Sequence, residues 1–409
     1  MKYNNPNSYP SVLSRLRLRL NETAPGLVQI IIGPRQVGKT TLLLEISSAL
    51  GKRAMYVAAD SPEASLPGWW DNIWQKAESL ASDERGACLL IDEIQNLPHW
   101  SQSLKSRYDL IKRDKTPLHI VITGSSALKV GAGAKESMAG RFETMLLMHW
   151  PASEIAACFK MSPEKAVQQL ISWGSYPGSI AFMKDPARLK DYLRHSIIEP
   201  AIGRDLMMTE TIRKPGLLRQ VFAVCLGHPA EIVSLQKIAG AILEKGSLAT
   251  VAHYLYLLEE ACLIAAVPKY SRREIQKRNA PPKLVALNQA LLAAMDTSSS
   301  PEPLKEPERF GRWVENACIA HAWNAGQKVY YWRSEPYEVD LVIEGSWGKW
   351  AIEIKTGQFA ARELSGLLEF CRLYKGFKPL VLADGKNIKT ARNADIDAIS
   401  YEEYLLKGL

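Results

Sequence analysis

No apolar run in the chain approaches the roughly 18 residues that a membrane helix needs, which excludes a spanning helix from the expected architecture. The polar start, with Asn4, Asn5, Pro6 and Asn7, lacks the apolar core of a secretion signal. No membrane partner and a cytoplasmic location are therefore expected. Cysteine is scarce and scattered: Cys88, Cys158, Cys225, Cys262, Cys318 and Cys371 include no CxxC pair. This spacing suggests neither a zinc site nor a disulfide framework, and the six read as small buried hydrophobes. Low-complexity polymer is also missing. What is present is a globular composition, 47% hydrophobic and 23% charged over 409 residues, enough for two to four domains. A formal net charge of +8 and a pI near 9.0 favour a polyanionic partner, with nucleic acid the leading candidate.

The strongest local signal is near the start. Leu27 to Ile32 is an apolar, β-branched run that stops at Gly33, and Leu42, Leu43, Ile46 and Leu50 then recur at helical spacing. Between them lies Gly33-Pro34-Arg35-Gln36-Val37-Gly38-Lys39-Thr40, a complete GxxxxGK[ST] phosphate-binding loop, followed by Thr41. In such a strand, loop and helix, backbone N–H groups and a helix N-terminus face the phosphates of ATP. Lys39 neutralises the β/γ oxygens and the Thr40 hydroxyl ligates Mg²⁺. Downstream, Ala87 to Ile91 reads as a buried strand ending in Asp92-Glu93. Asp92 is expected in the Mg²⁺ shell, with Glu93 placed to polarise the attacking water. A third strand, Leu118 to Thr123, runs into Gly124-Ser125-Ser126. It offers Ser125 as a γ-phosphate sensor, with Thr123 as the alternative. Gly140-Arg141 then opens a strand at Phe142 to Met148. Arg141 reads either as an arginine finger reaching a neighbouring subunit's nucleotide or as a structural, salt-bridging arginine.

The order of phosphate loop, LLIDEIQ, ITGSSA and AGRFE is similar to a family of bacterial and archaeal AAA+ ATPases with a C-terminal domain of unknown function. The similarity covers nearly the whole chain. Members continue with a Gly-x-Tyr-Pro turn and an Arg-Asp pair, here Gly174-Ser175-Tyr176-Pro177 and Arg204-Asp205. The resemblance implies an α/β fold with a P-loop AAA+ core over residues 1–150 and a helical lid over 151–215. It also implies a homo-oligomer, with a hexameric ring as one form. Arg204 would sense nucleotide from the lid or cap a helix.

Residues 216–296 read as a winged-helix-like domain. Ser234 is a plausible N-cap for Leu235 to Gly240, and Val251, Tyr254, Leu255 and Leu258 mark a helix. Leu263 to Val267, the basic stretch Lys269-Tyr270-Ser271-Arg272-Arg273 with Lys277-Arg278, and Leu284 to Leu287 then make a wing with a cationic tip. Such a module contacts DNA or docks protein. After the Pro- and Ser-rich Thr297 to Pro303, residues 297–409 change to a helix carrying Glu315 and three strands. Asp340 interrupts one strand; Glu353 and Lys355 share a face of the next. The set Glu315, Asp340, Glu353-Ile354-Lys355 resembles a PD-(D/E)XK nuclease core of the restriction-endonuclease-like α/β type. In that chemistry Asp340 and Glu353 bind Mg²⁺ against a phosphodiester, Lys355 orients or deprotonates water, and Glu315 completes the shell. A solvated hairpin face, or a nuclease fold kept only to bind DNA, remains open.

Together these signals lead to an ATP-hydrolysing, DNA-binding AAA+ motor or remodeller for duplex or branched DNA, coupled to a metal-dependent nuclease-like domain. A signalling or defence ATPase whose nucleotide state gates a nuclease or protein partner is the alternative. A protein-docking module with an inert C-terminal platform is a third.

Overall fold

The structure is a computed structural model that describes residues 5–81, 86–124, 138–206, 212, 214–243, 246–273, 280–296 and 300–409. Ser125, Lys277 and Arg278 lie outside the described residues, as do the side chains of Arg204 and Asp205. The described residues pack as two compact units, Pro6–Met148 and His149–Leu409 together with Asn5.

In the first unit, helix α1 (Tyr9–Leu20) precedes β1 (Val28–Ile32), α2 (Lys39–Leu50), β2 (Ala54–Ala58), α3 (Trp69–Leu80), β3 (Ala87–Asp92), α4 (Trp100–Asp114), β4 (Leu118–Gly124) and β5 (Phe142–Leu146). The strands form one sheet in the order β2-β3-β4-β1-β5, with every pair parallel. Parallel strands covered on both faces need continuous apolar runs, as in β1 (VQIII) and β3 (ACLLID), every residue of which is buried. The period of two then sorts their side chains. Ile30, Leu89 and Ile120 face α3 and α4 through Trp74 and Leu104. Ile31, Leu90 and Val121 face α1 and α2 through Leu16, Leu42 and Leu43. Because β4 lies between β1 and β3, the loop after β1 and the acidic end of β3 flank the C-terminal end of β4.

The second unit begins with α5 (Ala152–Phe159), α6 (Pro163–Trp173) and α7 (Pro186–Tyr192). The Arg204-Asp205 pair falls in a wide π-helical turn, Ala201–Leu206. Next come α8 (Pro215–Gly227), α9 (Leu235–Gly240) and α10 (Leu248–Glu260), with Ser234 accepting the Lys237 N–H at the start of α9. An antiparallel hairpin follows, β6 (Ile264–Val267) with β7 (Lys283–Ala286), and then α11 (Gln289–Met295) and α12 (Pro307–Asn324).

The chain ends in a mixed sheet of order β12-β11-β10-β9-β8, made of β8 (Lys328–Ser334), β9 (Tyr337–Gly345), β10 (Gly348–Lys355), β11 (Lys378–Ala383) and β12 (Asp397–Ser400). β8, β9 and β10 run antiparallel; β10, β11 and β12 run parallel. Helix α12 covers one face with α15 (Tyr401–Lys407), whose Tyr404 hydroxyl donates to the Cys318 carbonyl at 3.2 Å. Helices α13 (Ser365–Leu373) and α14 (Ile388–Arg392) cover the other through Leu367, Phe370 and Ala391. Side chains from α5, α6 and the β6–β7 hairpin share the α12 core, so the helical, hairpin and sheet segments are packed as one body.

Candidate functional site

The loop between β1 and α2 has a backbone that its sequence requires. A Cβ on Gly33 would lie 1.9 Å from the Leu147 carbonyl oxygen, so only glycine fits there. Gly38 has φ +101° and Gln36 φ 62°, left-handed values that curl the chain before the first turn of α2. Lys39 is 5% exposed, and its ammonium folds back over the loop to donate to the carbonyls of Gly33 (3.0 Å) and Pro34 (2.8 Å). Val37 is buried under the loop, and Thr40 and Thr41 lie on its exposed side.

Asp92, at the end of β3 and 3% exposed, is the hub of this region. Thr40 Oγ1 donates to its Oδ2 at 2.7 Å, and the Tyr56 hydroxyl from β2 reaches the same oxygen at 3.1 Å. Thr123, buried at the end of β4, donates to Oδ1. The Glu93 N–H points at both Asp92 Oδ1 and Thr123 Oγ1, each at 3.1 Å. Burial, then the Asp92 charge, push the Tyr56 hydroxyl above its ordinary range. Glu93 sits at φ 52°, where the strand breaks, and its carboxylate accepts from the Gln95 amide. Thr40 and Asp92 therefore present hard oxygen donors of the kind Mg²⁺ takes beside a phosphate, and the donor set fits that ion.

Arg141 makes a two-point contact with Asp109 of α4, at 2.7 and 3.2 Å, and donates to the Ala139 carbonyl at 3.2 Å. In this arrangement its guanidinium is committed to its own chain.

The C-terminal set is gathered by α12, β9 and β10. Antiparallel pairing sets Asp340 beside β10, where its Oδ2 accepts the Ile354 N–H at 2.9 Å. Lys355 Nζ lies 3.0 Å from Glu353 Oε1 and 3.9 Å from Glu363 Oε2. Glu353 Oε2 is buried with no hydrogen-bond partner among the described residues. Burial, then the nearby Asp340, push the Glu353 carboxyl well above the usual range, with Lys355 opposing. Between Glu315 and Asp340 lies a residue that sequence reasoning missed. Lys283 of β7, 1% exposed, has its Nζ 2.7 Å from Glu315 Oε1, 3.2 Å from the Asp340 carbonyl, 3.6 Å from Glu338 Oε1 and 3.9 Å from Asp340 Oδ1. Burial lowers its pKa, but the charges of Glu315, Asp340 and Glu338 outweigh this and keep the ammonium above its ordinary range. Burial pushes Glu315 up to about 7 against the pull of Lys283. These carboxylates do not fit a metal centre as arranged. Their shared neighbour is an ammonium, and no group of three or more His, Cys, Asp or Glu among the described residues could hold an ion.

Three comparisons bear on the chain. Residues 26–156 match the family model described as an AAA domain. Residues 26–156 form an AAA-type P-loop ATPase domain. Beyond it, residues 164–302 match a domain of unknown function (DUF8612), and 310–404 match a second (DUF4143). Among solved structures, AMPPCP-bound DnaA from Aquifex aeolicus aligns at 15% identity with TM-score 0.33, over 63% of this chain and 92% of that one. The replication initiator DnaA bound to AMPPCP and single-stranded DNA aligns at 15% identity with TM-score 0.32, over 62% and 88%. No curated protein matches the chain.

Within the AAA domain, the structure brings the loop, Asp92, Glu93 and Thr123 together and holds Arg141 on α4. Sequence reasoning missed Tyr56, Gln95 and Asp109. Tyr56 is one polar group in an otherwise apolar strand, and only the β2-β3 pairing sets it beside Asp92. Lys283 carried a similar signal, a lone cation immediately before the apolar run Leu284 to Leu287. No described helix is long and apolar enough to cross a membrane.

Proposed function

We propose that this chain binds ATP with Mg²⁺ at Gly33 to Thr41 and hydrolyses it to act on DNA. The observation that carries the reading is the hydrogen-bonded set of Thr40, Asp92, Thr123 and Glu93 at the C-terminal ends of adjacent parallel strands, next to a glycine-cornered loop. When bound, Mg²⁺ supplies charge neutralisation on the β/γ-phosphates. Thr40 and Asp92 would hold it. Lys39 would exchange its loop carbonyls for phosphate oxygens, and Glu93, steadied by Gln95, would orient and accept a proton from the attacking water. Thr123 fixes both the Asp92 carboxylate and the Glu93 backbone, which makes it the candidate polar sensor among the described residues. Arg141 serves as a finger only if it leaves Asp109 for a neighbouring copy, and a homo-oligomer, with a hexameric ring as one form, is part of this reading.

DNA is supported by the +8 net charge and by Arg272 and Arg273, which are exposed just beyond β6. The helices α8 to α10 followed by a hairpin are compatible with a winged-helix-like module. The order Glu315, Asp340, Glu353, Lys355 on a helix and two strands keeps the nuclease-like assignment of the last domain in the proposal. Because these carboxylates do not fit a metal as arranged, DNA cleavage is not part of this reading. ATP hydrolysis by the full chain should rise when single-stranded, duplex or four-way DNA is added. Hydrolysis unchanged by every DNA, with a protein partner that stimulates it instead, would shift the reading to a gated signalling ATPase.

A further inference from the structure

Lys283 stands where a nuclease-like core would keep its metal. It comes from β7, outside the helix and strands that carry Glu315, Asp340 and Glu353, and its position is pinned from both sides. Asn316 of α12 clamps β7 by accepting the Ala286 N–H and donating to the Ala286 carbonyl, each at 2.9 Å. On the other flank, the Tyr331 hydroxyl donates to the Pro281 carbonyl. The ammonium is thus delivered to a fixed point, with Glu315 Oε1, the Asp340 carbonyl and Glu338 Oε1 around its three N–H bonds.

We propose that the Lys283 ammonium is the resident cation of the Glu315–Asp340 cluster and excludes a divalent metal from it. Charge supports this. The carboxyl groups of Glu315, Asp340 and Glu353, with Glu338 at the edge, face two ammoniums, Lys283 and Lys355, so the cluster already carries its own cations. Space supports it as well. Mg²⁺ needs several oxygens at about 2.1 Å in octahedral array, whereas Glu315 and Asp340 hold Lys283 between them and one Asp340 oxygen is taken by Ile354 N–H. The segment 280–286 is therefore a built-in part of the C-terminal core, and the core is metal-free and does not cleave while Lys283 stays in place.

Replacing Lys283 by methionine keeps the chain length but leaves three carboxyl groups against one ammonium, a deficit that one divalent cation would neutralise. The test is Mn²⁺ binding by full-length, nucleotide-free protein, followed by calorimetry and by the paramagnetic resonance of free Mn²⁺. The wild type should show no Asp340-dependent site tighter than about 1 mM. Lys283→Met should gain one site at least about tenfold tighter, and Lys283→Met with Asp340→Asn should lose it. Circular dichroism would report whether each variant folds. A folded Lys283→Met protein that gains no site would overturn the proposal. Should that variant not fold, the wild type decides alone: an Asp340-dependent Mn²⁺ site overturns the inference, and its absence upholds it. Because the titration uses no nucleotide, failure here leaves the ATPase proposal standing.

Discussion

Asp92 accepts hydrogen bonds at both oxygens before any ion is considered, from Thr40, Tyr56 and Thr123 and from the Glu93 N–H. A carboxylate so held cannot swing, and it presents a fixed edge to the loop. Thr123→Val removes a side chain that ties Asp92 to the Glu93 backbone, leaving the part-buried Glu93 N–H with a poorer partner, at a cost of about 1–3 kcal/mol. Turnover of ATP should fall by about ten- to a hundredfold while nucleotide binding, followed by fluorescent-analogue titration, changes little. Equal loss of binding and turnover would show that Thr123 only supports the fold. A second residue-scale prediction concerns His321 of α12, buried against Trp347 and Tyr404. Burial lowers its pKa from 6.5 to about 3, so the folded chain resists protonation that the unfolded chain accepts. Stability from this group is full above pH 6.5 and is lost as pH falls toward 3. Between pH 6.5 and 5 the loss should be roughly 2 kcal/mol, read from urea midpoints, and His321→Leu should flatten that slope.

At the scale of elements, the chain that leaves β6 does not project freely. Tyr270 N–H donates to the Tyr331 carbonyl at 2.6 Å and Tyr331 N–H to the Pro268 carbonyl at 3.2 Å, so this segment extends the sheet edge along β8. The Tyr270 ring sits among Tyr330, Phe370, Tyr374 and Phe377 with centroids 5.1–5.5 Å away. The Pro268 to Tyr270 part of the basic stretch is therefore fixed to the edge of the C-terminal sheet, and Arg272 just beyond it is exposed and lies over Tyr374 at 5.4 Å. Tyr270→Ala should lower stability by about 2–4 kcal/mol in chemical denaturation. Arg272→Ala with Arg273→Ala should weaken DNA binding and reduce its salt dependence by up to about two units of slope, leaving basal ATPase unchanged. Unaltered DNA affinity in that double variant would remove Arg272 and Arg273 from the DNA surface. The cationic stretch was legible as sequence because its residues are adjacent. Its docking was not, since β8 lies some sixty positions further on and strand order is a long-range property. The same distinction separates Gly33 to Thr40, written as one contiguous motif, from Lys283, whose partners Glu315 and Asp340 lie on other elements. The capping of α9 by Ser234 was readable for the opposite reason, since the cap and the Lys237 N–H that donates to it lie within one turn.

For the molecule as a whole, the open contest is between Asp109 and a neighbouring copy for Arg141. The guanidinium is 32% exposed and its partner 46%, so the pair is wet, and exposed pairs of this kind contribute little to stability. Leaving Asp109 is thus a small penalty, and a γ-phosphate offers a stronger partner for a forked cation. If the chain hydrolyses ATP at subunit boundaries, each site takes Lys39 from one copy and Arg141 from the next. Lys39→Ala and Arg141→Ala should then each be inactive when pure. Mixed in equal amounts, they should recover activity, because about one quarter of randomly formed boundaries pair an intact loop with an intact arginine. Asp109→Ala frees the arginine and should leave turnover equal or higher. If Arg141→Ala alone hydrolyses ATP at the wild-type rate, the arginine belongs to α4 and has no part in the chemistry. If both variants are inactive and mixing restores nothing while light scattering shows mixed assemblies, Arg141 acts within its own subunit.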